Sequence, residues 1–424
     1  MTVDMGYGHQ RTADNLKQLA PGGKVICANN YEGIPKKDLR LWNSSRSFYE
    51  AISAFKRVPF LGNLAFSFFL DYFQKVPPFY PRRDLSEPSL QVKQIYSFMA
   101  SGWGRDLIER LKKNPLPLVS TFFTPAFMAE FFNYPGEIFC VVCDTDITRA
   151  WAPLNPKESK IKYFAPTDRA AERLRSYGIR PENIFLTGYP LPIENLGSEN
   201  QEVLKEDLRQ RLAKLDPRRE FFKNYYPLVK EKLGGLPYSK PYPFTIMFAV
   251  GGAGAQKEIA VQVLRSLARH IEGGLVKLIL VAGTKKKILD YFQKNITSLN
   301  LQVGRGVEIL FSQDISGYFR DFNSALHRAD ILWTKPSELS FYACLGLPII
   351  IAPTIGSHED FNKRWLLKSG FGMLQKEPKL THEWLFDLID KGHLAEMAFE
   401  GFLEGESRGA FNIQKVLDTK CPGW

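Results

Sequence analysis

Short apolar runs alternate with charged, helix-patterned segments over most of the chain, the grammar of parallel α/β domains. In the first half the runs at 116–122, 138–143, 161–164 and 184–186 read as strands. Residues 167–177, between the last two, form an amphipathic helical pattern that stops at Gly178, as a C-cap glycine stops a helix. The second half repeats the pattern with strands at 244–250, 276–282, 307–311, 331–334 and 349–352. Between the halves, 196–243 is highly charged, helix-prone and closed by Gly234-Gly235 and three prolines, a composition shift that marks a boundary. The expected organisation is a Rossmann-like domain over 1–195, a charged helical linker over 196–240, a second Rossmann-like domain over 241–392, and closing helices over 393–424 that pack back on the first domain. Two such halves leave a cleft, and ligands of such sheets bind at the carboxyl ends of the strands.

Composition narrows the choice of partners. With 44% hydrophobic and 24% charged residues the 424-residue chain is ordinary globular material. The 56 Lys and Arg exceed the 45 Asp and Glu by 11, a surplus that favours acidic lipids, phosphates or nucleic acid. That charge is spread along the chain without a readout module, which sets nucleic acid aside. Five cysteines make no disulfide framework, so a reducing compartment is expected. Cys140 and Cys143 share an apolar strand run and point to opposite faces, which argues against redox or metal pairing. No basic-then-apolar leader opens the chain, and no apolar run approaches the roughly 20 residues of a spanning helix. The expectation is a cytoplasmic protein, attached at most to one leaflet. The aromatic run 58–70, continuing to Phe79-Tyr80-Pro81-Arg82-Arg83, reads either as an interfacial stretch or as a buried helix packed on the first domain.

Four loops carry candidate chemistry. Gly6-Tyr7-Gly8-His9 leads into a helical run at 12–19, where glycines let backbone N–H groups approach an anion and His9 can take a proton from a hydroxyl. The plain alternative is a tight turn with a polar cap. Only Thr2-Val3-Asp4 precede this loop, so the first strand is either a stub or begins upstream of Met1. Gly251-Gly252-Ala253-Gly254 lies between a strand and a helix at 257–270, the setting for phosphate cradling or for close strand–helix packing. Thr334-Lys335-Pro336-Ser337-Glu338 follows the strand at 331–334: Ser337 can cap the next helix, and Glu338 can accept two ribose hydroxyls or compensate the helix dipole. A polar loop is expected at 356–362, where His358, Glu359 and Asn362 suit sugar hydroxyls.

At these residues the chain resembles the GT-B glycosyltransferases related to monogalactosyldiacylglycerol synthases, processive diacylglycerol glucosyltransferases and the peptidoglycan-precursor N-acetylglucosaminyltransferase. Gly6-Tyr7-Gly8-His9 is similar to their opening loop, and Cys143-Asp144-Thr145-Asp146 with Trp151 to a strand-end segment of the lipid galactosyltransferases. Phe164-Ala165-Pro166-Thr167 and Leu186-Thr187-Gly188-Tyr189-Pro190 resemble the strand ends that close their first domain. The glycine loop at 251–254, Thr334-Lys335-Pro336 and 356–362 resemble their donor-side motifs. The resemblance implies two Rossmann-like domains facing a cleft, a nucleotide-sugar donor that is a UDP-sugar, and a lipid or lipid-linked acceptor. It further implies displacement with inversion, without metal or cofactor, on or near an anionic membrane surface. His9 would be the base, with Asp144 or Asp146 as rival base or orienter. Gly6 and Gly8 would line the acceptor side, and Gly251, Gly252 and Gly254 would hold the diphosphate. Lys335 would help them, and Arg149 would clamp a phosphate or pair with Asp146. Ser337-Glu338 stands where the family carries paired glycines, so either Glu338 takes the ribose role or nucleotide binding differs. A serine also precedes His358-Glu359, where the relatives have Gln-Glu. Rival readings are a nucleotide-sugar 2-epimerase of the same fold and a non-catalytic nucleotide-sugar-binding or membrane scaffold protein.

Overall fold

The computed structural model describes residues 1–44, 76–235, 237, 243–249, 254, 256–354 and 357–422, without the side chains of Ser357 and His358. The chain divides into two compact units. One comprises Met1–Pro190 with Ile355–Asn362 and Arg408–Trp424, the other Leu191–Thr354 with Lys363–Ser407. Each is built on a parallel sheet with its own apolar core, as the alternating pattern predicts.

In the first unit, β1 (Leu118–Ser120), β2 (Ile138–Val141), β3 (Lys162–Ala165) and β4 (Ile184–Leu186) pair in parallel in that order. Parallel strands are covered on both faces and so need unbroken apolar runs, which is why the sequence locates them. The short segment before the first glycine loop joins this sheet. Met1 N donates to Val119 O (2.7 Å) and Thr121 N to Met1 O (3.0 Å) on one side. On the other, Thr2 N donates to Ile26 O and Ala28 N to Thr2 O, both at 2.8 Å. The chain therefore adds residues 26–28 to one side of its opening segment and β1 to the other. That reversal is a topological switch point, where open α/β sheets bind ligands. The helix Asp168–Ser176 starts on a Thr167 hydroxyl that accepts from Ala170 N (3.1 Å), and Gly178 follows it at φ 88°.

In the second unit, β5 (Phe244–Ala249), β6 (Val276–Gly283), β7 (Val307–Phe311), β8 (Ile331–Thr334), β9 (Ile349–Ile351) and β10 (Gly372–Leu374) form a parallel sheet of order β10-β9-β8-β5-β6-β7. The chain lays β6 and β7 on one side of β5 and then returns to its other side with β8. The β5–β8 pair is thus a second switch point. The helices Glu202–Leu215 and Glu220–Leu233, in the charged stretch between the halves, send Leu208, Leu212, Leu215, Phe221 and Val229 into this unit's core.

After β8 comes a 3₁₀ helix, Glu338–Leu345, buried along its whole length. Runs of this type beyond three or four residues are uncommon and need support from their surroundings. Arg211, itself buried, donates to Leu345 O (2.9 Å) and Gly346 O (3.0 Å) at its end. Gly401 on the helix His393–Glu404 packs so closely that a Cβ there would lie 2.3 Å from Ala343 O. Because the obstacle is backbone, it cannot swing aside. Gly401→Ala is expected to cost about 1–3 kcal/mol of stability, read as a lowered midpoint in thermal unfolding. Among the described residues, no helix is long and apolar enough to cross a membrane.

Candidate active site

The first switch point places His9. Gly6, at φ 115° and ψ 164°, makes the turn out of the opening segment, and the helix begins at once as Tyr7–Asp14. The predicted helix at 12–19 therefore starts too late: Gly8 and His9 belong to its first turn, and residues 17–19 form a separate 3₁₀ turn. The turn is anchored from behind, where Asp4 N donates to Asn29 Oδ1 (2.7 Å) and Gln10 Nε2 to Asp4 Oδ1 (2.8 Å).

His9 is half-buried, and its Nδ1 lies 2.8 Å from the carbonyl oxygen of Thr121. A carbonyl only accepts, so Nδ1 carries the proton of the neutral ring and Nε2 carries the lone pair. The edge of Phe122 (centroids 4.8 Å apart) and the indole of Trp151 (6.2 Å) flank the imidazole. The same Thr121 oxygen receives the Cys143 thiol (3.4 Å), which ties the end of β1 to the residue before Asp144. Thr121 escaped the sequence reading, and its only signal there is a polar residue at the carboxyl end of an apolar strand.

Two residues proposed beside His9 have other work. Asp146 accepts both Arg173 Nε (2.8 Å) and Arg173 Nη2 (2.9 Å), with the two residues only 5% and 1% exposed. Burial works against the Arg173 charge, and the bonds and charge of Asp146 outweigh it, leaving the guanidinium above its ordinary pKa. Asp146 is thus held in a buried bidentate pair with Arg173. Arg149 does not pair with Asp146, which is bound to Arg173. The Arg149 guanidinium donates to Ser86 O (2.7 Å), Ala152 O and Pro153 O (3.0 Å), and burial pulls its pKa down. Asp144 remains half-exposed at the end of β2.

The segment expected as a polar loop at 356–362 is helical from Ser357, as the start of the helix Ser357–Lys368. Its residues through Asn362 belong to the first unit. Glu359 is buried, and the His358 side chain lies outside the described residues. Asn362 is fully buried. Its Oδ1 accepts from Thr145 N (3.0 Å) and Thr145 Oγ1 (2.8 Å), and its Nδ2 donates to Asp144 Oδ1 (3.0 Å).

In the second unit, Ala249 at the end of β5 is in register with Thr334 at the end of β8, and Thr334 with Ile351 of β9. The carboxyl ends of all three strands therefore lie at one edge of the sheet. Gly251 and Gly252 lie outside the described residues, while Gly254 is buried at φ 66°, where a Cβ would fall 2.5 Å from Ile288 Cδ1. A side chain is therefore disfavoured there on two counts. Beyond β8, Lys335 and Ser337 are half-buried and Glu338 is 9% exposed. Ser337 makes no side-chain cap, contrary to expectation, because a 3₁₀ turn rather than an α-helix follows it.

The aromatic run 58–70 lies outside the described residues. Just after it, Phe79 has the Arg169 guanidinium 3.7 Å from its ring centre, with Arg82 and Arg173 farther round, and Tyr80 is 66% exposed. Among the described residues, no group of three or more His, Cys, Asp and Glu side chains is gathered as metal ligands would be.

Comparison with known proteins agrees with the resemblance read from the motifs. Residues 238–305 match a family described as a domain of unknown function, DUF6938. The chain is 27% identical over 173 residues to the UDP-N-acetylglucosamine–N-acetylmuramyl-(pentapeptide) pyrophosphoryl-undecaprenol N-acetylglucosamine transferase of Alkaliphilus metalliredigens (strain QYMF). That match takes in 38% of this chain and 44% of the transferase, so the chain spans less than half the length of the curated relative it matches. Among solved structures, UDP-GlcNAc 2-epimerase from Neisseria meningitidis, bound to UDP-GlcNAc, is similar at 13% identity and a TM-score of 0.46, covering 81% of this chain and 84% of that one. MurG from Acinetobacter baumannii is similar at 12% identity and a TM-score of 0.45, covering 76% and 79%.

Proposed function

We propose that the chain is an inverting glycosyltransferase that moves a sugar from a UDP-sugar onto a lipid or lipid-linked acceptor. The observation that carries this reading is the β5–β8 switch point. The strand register sets Ala249, the last described residue before the glycine loop in the sequence, beside Thr334, which opens Thr334-Lys335-Pro336-Ser337-Glu338; an open α/β sheet receives a nucleotide at such an edge. Backbone N–H groups of the loop and the Lys335 ammonium steady the departing diphosphate, so the reading calls for no metal. The Glu338 carboxylate accepts the ribose hydroxyls. In the first unit, His9 Nε2 takes the proton of the acceptor hydroxyl as that oxygen attacks the anomeric carbon and the bond to the diphosphate breaks.

The similarity to the N-acetylglucosamine transferase supports a UDP-sugar as donor and a lipid-linked acceptor. The net charge of +11, with Arg82 and the exposed Tyr80 beside the aromatic run, supports work at an anionic membrane surface on the cytoplasmic side. The test of the donor half is titration calorimetry with UDP. Saturable binding is expected, weakened at least about tenfold in Glu338→Ala by loss of the paired ribose contacts. Wild-type protein that takes up no UDP contradicts the reading.

A further inference from the structure

We infer that Asn362 is a positioning residue: its side-chain amide sets the Asp144 carboxylate to accept a hydrogen bond from the acceptor hydroxyl that His9 deprotonates. The inference rests on the transferase reading and adds to it a second acid–base element with its own support.

The orientation of the Asn362 amide is decided by its neighbours. Thr145 N–H can only donate, so the atom 3.0 Å away must be the amide oxygen. The NH₂ end then necessarily faces Asp144, whose Oδ1 it meets at 3.0 Å. Thr145 Oγ1 adds a second donor to the same amide oxygen (2.8 Å), and Thr167 Oγ1 holds the loop from its other side by donating to Thr145 O (2.8 Å). Asn362 is fully buried, so these bonds form out of water, where a lost partner is costly. Asp144 stays half-exposed, with Oδ1 occupied by the amide, and Oδ2 is the oxygen that meets the substrate. Cys143, the residue before it, shares the Thr121 carbonyl with His9, which keeps the two loops in fixed relation. The only acid of this loop that could act with His9 is thus Asp144, since Asp146 is bound to Arg173.

The test is steady-state kinetics of Asn362→Ala and Asn362→Asp across pH, with melting curves to confirm folding. Asn362→Ala should lower kcat about 10–100-fold while KM for the UDP-sugar stays within about twofold, the signature of an interaction used in the transition state rather than in donor binding. In an Asp144→Asn background the same change should cost little more. Asn362→Asp puts two carboxylates side by side, and one bound proton restores a donor between them. Its rate relative to wild type should therefore rise as pH falls at unchanged donor KM, which a donor-sugar contact would not produce. If Asn362→Ala does not fold, the Asn362→Asp profile carries the test. A raised donor KM with kcat kept, a full additional loss in the Asp144→Asn background, or a pH-independent Asn362→Asp ratio would each overturn the inference. Wild-type protein that transfers sugar from no UDP-sugar would instead overturn the transferase reading, and the inference with it.

Discussion

Replacing His9 with glutamine will lower kcat by about 10²–10⁴-fold and leave the affinity for UDP unchanged. Glutamine keeps a donor for the Thr121 carbonyl, which now takes His9 Nδ1 at 2.8 Å, so the first turn of Tyr7–Asp14 stays in place. What it lacks is the basic Nε2. The residual rate should also lose the acid limb of the wild-type pH profile, because that limb records protonation of the base. Stopped assays over a pH series, with UDP titration beside them, check both parts. A His9→Gln enzyme within threefold of wild type, a loss of only about 0.7 kcal/mol in barrier, would remove His9 from the chemistry.

The second large effect concerns stability. Arg173→Met will destabilise the protein by about 3–5 kcal/mol, because it leaves the Asp146 carboxylate buried without its guanidinium. Among the described residues, the Ile147 amide would still reach it, at 2.9 Å. The double change Asp146→Leu with Arg173→Met removes charge and countercharge together and should recover much of that loss, as buried ion pairs exchanged for apolar groups often do. Urea unfolding measures both variants. A single-variant loss below about 1 kcal/mol would mean that the pair is solvated, and would return Asp146 to the list of bases.

The sequence made the strands and their order of appearance plain, because a parallel strand covered on both faces can be nothing but a short apolar run. β7 and β8 fall on the residues read from the pattern, and β5 covers the described part of its run, Phe244–Ala249. The glycine loop after β5 and Thr334-Lys335 after β8 were equally visible in the sequence as strand-end segments, but the pairing of β5 with β8 was not. It depends on β8 returning to the free side of β5, which no local pattern encodes. Local signals also misled where two conformations share a vocabulary. Gly6-Tyr7-Gly8 reads as loop, yet only Gly6 takes a glycine-specific angle and the helix absorbs the rest. Ser337 has the chemistry of a cap but precedes a 3₁₀ turn. The roles of Asp146, Arg149 and Asn362 were illegible for a different reason. Each is decided by partners 27, 63 and 218 residues distant: Arg173, the Ser86 carbonyl and Asp144. Residue type gave each side chain its capacity to bond, and tertiary placement decided its protein partners.

The account is tested most directly by transfer of radiolabel from UDP-sugars into a lipid extract, wild type beside His9→Ala. It predicts label entering the organic phase with wild type and falling at least about a hundredfold in the variant, the usual scale for loss of a general base. Saturable UDP binding with no label in the lipid phase from any donor, or equal transfer by both proteins, would contradict it.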